Sequence, residues 1–296
     1  MSILSRPAIA IVGAGKVGSA LGILLQSKGY SVVGVASRTP ASAEKLAERL
    51  NCPAFSLPLE AVAAAELVFI TTPDRAIGQV AADIAAGCGF KPGQIVAHTS
   101  GAHPSSILRG VREAGALAVS IHPLQSFAGV ETAIENLPGS YFALEGDERA
   151  METAWQVIQD LGGRGFSLAA GAKPLYHAAA CIASNYLVAI MHFATGLYGR
   201  FGLDRKEAFQ ALLPLVEGTV NNIGRVGPVA ALTGPVARGD GATLEDHLAA
   251  FKDAGGLETD LYCRLGRYTV DVALEQGSIS SEQAAELKQI FEEGLP

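Results

Sequence analysis

Two rhythms of apolar positions run through the first part of the chain. Short, nearly continuous apolar runs at Ala8–Val12, Ser31–Ala36, Leu67–Thr71, Gln94–Ala97, Ala116–Ile121 and Tyr141–Leu144 read as strands. Between them, Lys16–Lys28, Ala41–Leu50, Arg75–Ala86, Ser105–Ala114 and Glu148–Leu161 repeat their apolar residues at helical spacing. Strands that alternate with helices predict an α/β fold with a mostly parallel, doubly wound sheet. Leu67-Val68-Phe69-Ile70 is wholly apolar, as a strand must be when helices cover both of its faces.

After Gly171 the period-2 and continuous runs cease. Helical patterns fill the remainder: Pro174–Phe201, Arg205–Asn222, Leu244–Ala254, Leu257–Gln276 and Glu282–Glu293. Asp204 and Thr243 stand where helix caps are wanted, and Ser280 with Gln283 has the spacing of a capping box. Asp74 is read in the same way, as the cap of Arg75–Ala86. The predicted division is therefore an α/β domain over 1–170 and an all-helical domain over 171–296.

Composition changes this picture in three places. Charged residues make up 17% of the 296 residues and hydrophobic ones 49%, where about 25% charged is usual. The net charge, 22 − 29 = −7, speaks against a nucleic-acid partner. The four cysteines, Cys52, Cys88, Cys181 and Cys263, form no C-x-x-C pair, which fits reduced thiols in the cytoplasm rather than a zinc site or a disulfide framework. Ala8–Val12 is too short an apolar run for a secretory signal. Pro174 to Gly199 carries no Asp, Glu, Lys or Arg over 26 residues, long enough to span a bilayer. His177, Ser184, Asn185 and His192 interrupt it, and hydrocarbon would penalise them. The expectation is instead a central helix enclosed by both domains and by a second copy of the chain.

Candidate chemistry begins at the first strand. Ile9–Val12 runs into Gly13-Ala14-Gly15-Lys16-Val17-Gly18, and helical spacing follows at once. Between a strand and a helix, G-x-G-x-x-G has a mechanism, that of the Rossmann-type dinucleotide loop. Its first Gly makes the turn, its second admits a pyrophosphate to the backbone and its third lets helix and strand pack closely. NAD sites carry an acid at the end of the second strand. Here that position reads Ser37-Arg38-Thr39, a cation with two hydroxyls suited to a 2′-phosphate, so NADP(H) is the expected cofactor.

The other strand ends run into Thr72-Pro73-Asp74, His98-Thr99-Ser100-Gly101 and His122-Pro123. In an open parallel sheet these carboxyl ends face the ligand. Thr72, Pro73, His98 and Ser100 are candidate cofactor contacts, with structural bonds in the loop an equal alternative for His98 and Ser100. His122 suits a fixed imidazole beside a reacting group. In the helical part, Lys173 precedes Pro174 and opposes the helix dipole, which points to a use other than helix stability. His177, Cys181, Ser184, Asn185 and His192 fall on one face of a regular helix. Arg238, in Thr233–Asp240, suits a carboxylate, or else pairs internally with Asp240. Asn222 is a further substrate candidate. No HExxH or carboxylate cluster occurs, so no catalytic metal is expected.

Taken together, the chain resembles a bacterial family of NADP-dependent oxidoreductases that join a Rossmann-like domain to a helical domain of unknown function. The likeness rests on Gly13–Gly18, Thr72-Pro73-Asp74, His98–Gly101, His122-Pro123-Leu124, Tyr176–Ala180 with Ser184-Asn185-Tyr186, and Thr233–Asp240. More distantly the chain is similar to the group of 6-phosphogluconate dehydrogenase, pyrroline-5-carboxylate reductase and prephenate dehydrogenase. That resemblance implies a homodimer joined through the helical domains, with the active site in the interdomain cleft. Some members of the group carry Lys-x-x-x-Asn where this chain has Lys173-x-x-x-His177, so the Lys role transfers more cleanly than the Asn role. The His-Pro-Met of prephenate dehydrogenases resembles His122-Pro123-Leu124.

The resulting expectation is an NADP(H)-dependent oxidoreductase acting on a small, anionic carbonyl, imine or alcohol. Lys173 or His177 would handle the proton, His122 would polarise the reacting group and Asn185 would orient the substrate. Arg238 and Asn222 would hold its far end. Two alternatives use the same glycine loop: a sensor that binds NADP(H) without turnover, and a deazaflavin-dependent NADP reductase.

Overall fold

The computed structural model describes residues 6–169, 171–251 and 256–296. It divides into two compact units, Met1–Tyr186 and Leu187–Pro296.

The first unit is built on eight strands: β1 (Ile9–Val12), β2 (Val32–Ala36), β3 (Ala54–Phe55), β4 (Leu67–Ile70), β5 (Ile95–His98), β6 (Leu117–Pro123), β7 (Tyr141–Gly146) and β8 (Arg164–Ser167). Their spatial order is β3-β2-β1-β4-β5-β6-β7-β8. Every neighbouring pair is parallel except β6 and β7, which run antiparallel. The order reverses direction between β1 and β4, the point at which open sheets of this kind leave a crevice.

Strand alternation assigns the core. Ile9 and Ile11 of β1, with Leu67 and Phe69 of β4, pack to one side among Leu21, Leu25, Leu46 and Val157. Ala10, Val12, Val68 and Ile70 pack to the other side among Val62, Ile77 and Ala81. All eight of these strand residues are buried, which explains why the runs are apolar without interruption. The helices α1 (Lys16–Ser27), α2 (Pro40–Leu50), α3 (Pro58–Val62), α4 (Asp74–Ala86), α5 (Val130–Asn136) and α6 (Glu148–Asp160) complete the layers, and α7 (Lys173–Cys181) closes the unit with a π-helical turn, Ile182–Tyr186.

Several expectations need correction. The predicted helix over Ser105–Ala114 is a single 3-10 turn, Ser105–Ile107. Gly110, with φ at +77°, takes the left-handed conformation there and ends any helical register. β3, with two residues, is too short to show a pattern, and β8 is a mostly exposed edge strand without alternating apolar residues. Asp74 does not cap α4: Pro73 takes that place, and Asp74 is the first helical residue. The compact units part at Tyr186/Leu187 rather than at 170/171, because α7 contributes Lys173 and Tyr176 to bonds with β5, β6 and the loops beyond them.

The second unit contains α8 (Leu187–Tyr198), α9 (Arg205–Val226), α10 (Gly241–Phe251), α11 (Gly256–Gln276) and α12 (Ser281–Glu293). Asp204 and Ser280 form full capping boxes with Glu207 and Gln283, as their spacing predicts. At α10 it is Asp240, not Thr243, whose carboxylate accepts the free N–H, that of Thr243 itself. The expected end of this helix at Ala254 lies outside the described residues. Val236, Leu244, Cys263, Val270 and Phe291 form the core of this unit.

The charge-free helix is not enclosed within the chain. Lys173–Phe201 is long and apolar enough to cross a membrane by length and composition, yet few of its residues are buried. Leu175 is 80% exposed, and Ile182, Tyr186 and Val188 are also exposed.

Candidate functional site

Two groups of residues stand at the carboxyl ends of the strands. The first is the glycine loop. Gly13 sits at φ +115°, where a Cβ would meet the Thr71–Thr72 peptide at 2.8 Å. A Cβ at Gly18 would collide with the Gly13 carbonyl and the Thr71 hydroxyl, so only glycine allows α1 to lie this close to β1. At Gly15 a Cβ would meet nothing within 4 Å. That space is what an approaching pyrophosphate requires. α1 has no side-chain cap and no acid in its first turn, which leaves its N-terminal amides and positive dipole end to an anion.

A cavity of about 470 Å³ opens in front of this loop, lined among others by Gly13, Ala14, Gly15, Ser37, Arg38, Thr39, Thr72 and Pro73. Ser42, Ser56 and Arg75 line it too, although nothing in the linear pattern singles them out. The Thr72 hydroxyl is buried without a hydrogen-bond partner. An orphaned hydroxyl, an unfilled glycine face and an uncapped helix start all fit a dinucleotide. Lys16, Val17 and Gly18 do not line the cavity: the Lys16 ammonium donates to the Phe127 carbonyl, Val17 packs against the core and Gly18 is buried.

The second group lies at β5 and β6. His98 pairs in register with Ser120, and Ser120 with Glu145 on β7. His98 is 0% exposed, accepts the Ser100 N–H at Nδ1 and donates from Nε2 to the Pro104 carbonyl at 3.2 Å. Ser100 is buried as well, its hydroxyl donating to Asp74 at 2.8 Å while accepting the N–H groups of Ala102 and His103. Both side chains are thus consumed in shaping the loop, and neither lines the dinucleotide cavity. Of the two readings held open for them, the structure favours loop bonding.

Lys173 is 0% exposed. Its ammonium donates to the Ser100 carbonyl at 2.8 Å and to the Ser120 hydroxyl at 2.5 Å, tying the first turn of α7 to two strand ends. Burial lowers its pKa to about 8, against the pull of Glu145 and Asp74. His122 follows Ser120 by two residues on β6, so both project from one face. Its Nδ1 lies 2.7 Å from the Tyr176 hydroxyl, and its ring meets those of Tyr176 and His177 edge-on. Burial first, then the nearby Lys173 and His177, lowers the His122 pKa to about 3; His98 is held at about 3 in the same way. Both imidazoles are neutral at physiological pH.

His177 brings its Nε2 to 3.6 Å from Cys181 Sγ, while its Nδ1 is buried and unpartnered. The structure therefore gathers three of the four expected catalytic residues, Lys173, His122 and His177, and adds Tyr176, Ser120 and Glu145. Asn185 is exposed in the π-helical turn, whose extra residue breaks the single face that a regular helix would give it with His177 and His192. In the second unit Arg238 stands 3.9 Å from Asp240, the internal pair, and Asn222 is exposed on α9. Among the described residues no cluster of three metal-ligating side chains occurs.

The Rossmann-like domain family matches residues 3–123, and a domain of unknown function, DUF2520, matches 140–269. Protein TM1727 from Thermotoga maritima is 30% identical over 91% of this chain and 99% of its own, with a TM-score of 0.73. The chain belongs to the family that joins these two domains. BF3122 from Bacteroides fragilis, provisionally named an NADP oxidoreductase, has the same fold at 23% identity, with a TM-score of 0.73 over 90% of this chain and 98% of its own. An imine reductase from a Pseudomonas species follows at 19% identity and a TM-score of 0.60, over 97% and 93% of the two chains. No curated protein matches by sequence. The fold is thus one that reductases and dehydrogenases share.

Proposed function

We propose that this protein is an NADP(H)-dependent oxidoreductase acting on a small carbonyl, imine or alcohol. The observation that carries this reading is the cavity before the glycine loop, where Arg38, Ser37 and Thr39 stand at the end of β2 in place of an acid. Gly13 and Gly15 would admit the pyrophosphate, Thr72 would give its unpartnered hydroxyl to the nucleotide, and Arg38 would pair with the 2′-phosphate. The nicotinamide supplies the hydride chemistry when bound. The chain's own work is to orient the substrate and to handle one proton. His122 and His177, close to one another, suit that work better than Lys173, whose ammonium is spent on Ser100 and Ser120. Lys173 acts by fixing the Ser100–Gly101 turn beneath them.

Arg38→Ala should weaken NADP(H) binding by about 10- to 100-fold, the scale of charged hydrogen bonds, and leave NAD(H) binding unchanged. Calorimetry with both cofactors checks this, and equal affinities in the wild type would sink the NADP assignment. A panel of carbonyl, imine and deazaflavin substrates, followed by NADPH absorbance, separates the enzyme from a sensor and from a deazaflavin-dependent reductase.

The exposed apolar residues Leu175, Ile182, Tyr186, Leu187 and Val188 support a homodimer in which a second copy covers them. Sedimentation should give a dimer. A monomer at micromolar concentration would count against it.

A further inference from the structure

Among the described residues, the charged side chains that border the cavity before the glycine loop are both cations. Arg38 follows β2, Arg75 lies in the first turn of α4, and no aspartate or glutamate lines the space. Asp74, one residue before Arg75, is used elsewhere: its carboxylate accepts the Ser100 hydroxyl at 2.8 Å. In the same unit Arg6, Arg49 and Arg112 are each paired with a carboxylate. Among the described residues neither Arg38 nor Arg75 has such a partner, and the hydroxyls of Ser42 and Ser56 at this cavity make no hydrogen bond. In a chain of net charge −7, two unpaired guanidinium groups at one acid-free cavity suit a strongly anionic ligand group.

The topology says which group. The sheet order β3-β2-β1-β4 sets the ends of β2 and β4 on either side of β1. Neighbouring strands are about 4.8 Å apart, so those ends lie about 10 Å from one another, a gap that two arginine side chains close together. In a Rossmann-type site the adenosine ribose lies at the end of β2, and α4 reaches that side of the cavity. Its Ile77 and Ala81 pack with Val62 of α3, and α3 starts at Pro58, which lines the cavity with Pro40 of α2. Ala76 and Val80, one helical turn apart on α4, complete an apolar wall suited to a purine.

A phosphate monoester carries about −1.5 to −2 charges at pH 7, more than one guanidinium offsets. The pyrophosphate does not compete for the arginines, since the open face of Gly15 and the uncapped start of α1 receive it. Lys16, within the loop, donates to the Phe127 carbonyl. We propose that Arg75 is a second specificity-determining residue for the cofactor, closing with Arg38 on the adenosine 2′-phosphate. The choice of NADP(H) over NAD(H) is then made by two elements, the end of β2 and the start of α4. This rests on reading the cavity as an NADP(H) site.

The probes are 2′,5′-ADP and 5′-AMP, which differ only in the 2′-phosphate. Calorimetry on the full-length protein with each fragment isolates that group and needs no turnover. The wild type should bind 2′,5′-ADP at least ~10-fold more tightly than 5′-AMP. Arg75→Ala should cut 2′,5′-ADP affinity by roughly 10-fold or more and leave 5′-AMP affinity unchanged. Arg75 is exposed, so the variant should melt as the wild type does. Arg38→Ala combined with Arg75→Ala should bind the two fragments alike. An equal loss for both fragments in Arg75→Ala would place Arg75 at the base or the 5′-phosphate, and an unaltered 2′,5′-ADP affinity would leave it in solvent. Either result overturns the proposal while the NADP(H) reading stands. A wild type that does not distinguish the fragments would remove the NADP(H) reading itself, and this assignment with it.

Discussion

At the carboxyl ends of β1, β2 and β4 the chain leaves groups without protein partners. At the ends of β5 and β6, in the same sheet, it uses nearly all of them. The glycine loop keeps open space at Gly15, an uncapped helix start and the unpaired Thr72 hydroxyl. Around Lys173, by contrast, both nitrogens of His98, the hydroxyls of Ser100 and Ser120 and the ammonium itself are engaged. The first region is built for a ligand to complete. The second is a rigid polar floor that leaves one ring nitrogen, His177 Nδ1, buried without a partner. Polar residues at a ligand edge are therefore not all ligand contacts; the informative ones are those that the fold leaves unpaired.

The difference has consequences for stability that can be measured. The largest concerns acid. His98 and His122 titrate near 3 in the folded protein and near 6.5 when unfolded, so the unfolded chain takes up protons first. Their contribution is complete above pH 6.5 and is lost as pH falls toward 3, about 3 kcal/mol for each ring by pH 4 at about 1.4 kcal/mol per unit. Urea unfolding at pH 7 and pH 4 measures it. His122→Gln should flatten the dependence, and an unaltered slope would show that the ring is not held neutral.

A smaller effect is expected on the alkaline side. Lys173 titrates near 8 folded and near 10.5 unfolded, so its burial costs stability below pH 8 and the cost fades as pH rises through that window. The wild type should therefore gain about 2 kcal/mol on Lys173→Met between pH 8 and pH 10. A constant difference across that range would mean that the ammonium is not desolvated.

The glycine loop should show the smallest change in stability and the clearest loss of binding. Gly15→Val puts its side chain into open space, so unfolding should move by no more than about 0.5 kcal/mol. NADPH affinity should nevertheless fall at least ~10-fold, because the side chain occupies the approach of the pyrophosphate. If stability and affinity fell together, the cleft would be part of the packed scaffold, and the contrast with the β5–β6 end would fail.

How much of this was legible in the sequence differs between the two regions. The glycine loop was readable because three glycines at fixed spacing between a strand and a helix have one economical explanation, and Arg38 stands at a defined distance from them. Lys173, His122 and His177 were readable as unusual residues for their places, but not their partners. Ser120 had a signal, since two residues along a strand put it on the face of His122. Tyr176 had none apart from its neighbour His177, because its role comes from an imidazole 54 positions earlier in the chain. That Asn185 leaves the single face expected for it with His177 and His192 was not legible, because a π-helical turn leaves no mark in a helical apolar pattern.

By itself, then, the sequence determined the alternation of strands and helices, the burial of the central strands on both faces and the dinucleotide loop. These depend on local periodicity and on glycine's lack of a side chain, both written in consecutive residues. Tertiary structure alone decided which polar groups at the sheet edge pair with one another and which stay unpaired. It folded Lys173 onto Ser100 and Ser120, set Tyr176 against His122 and packed the His122 and His177 rings against Gly101. Hydrogen bonds reach only about 3 Å, so their partners are fixed by where distant strands and helices meet in space.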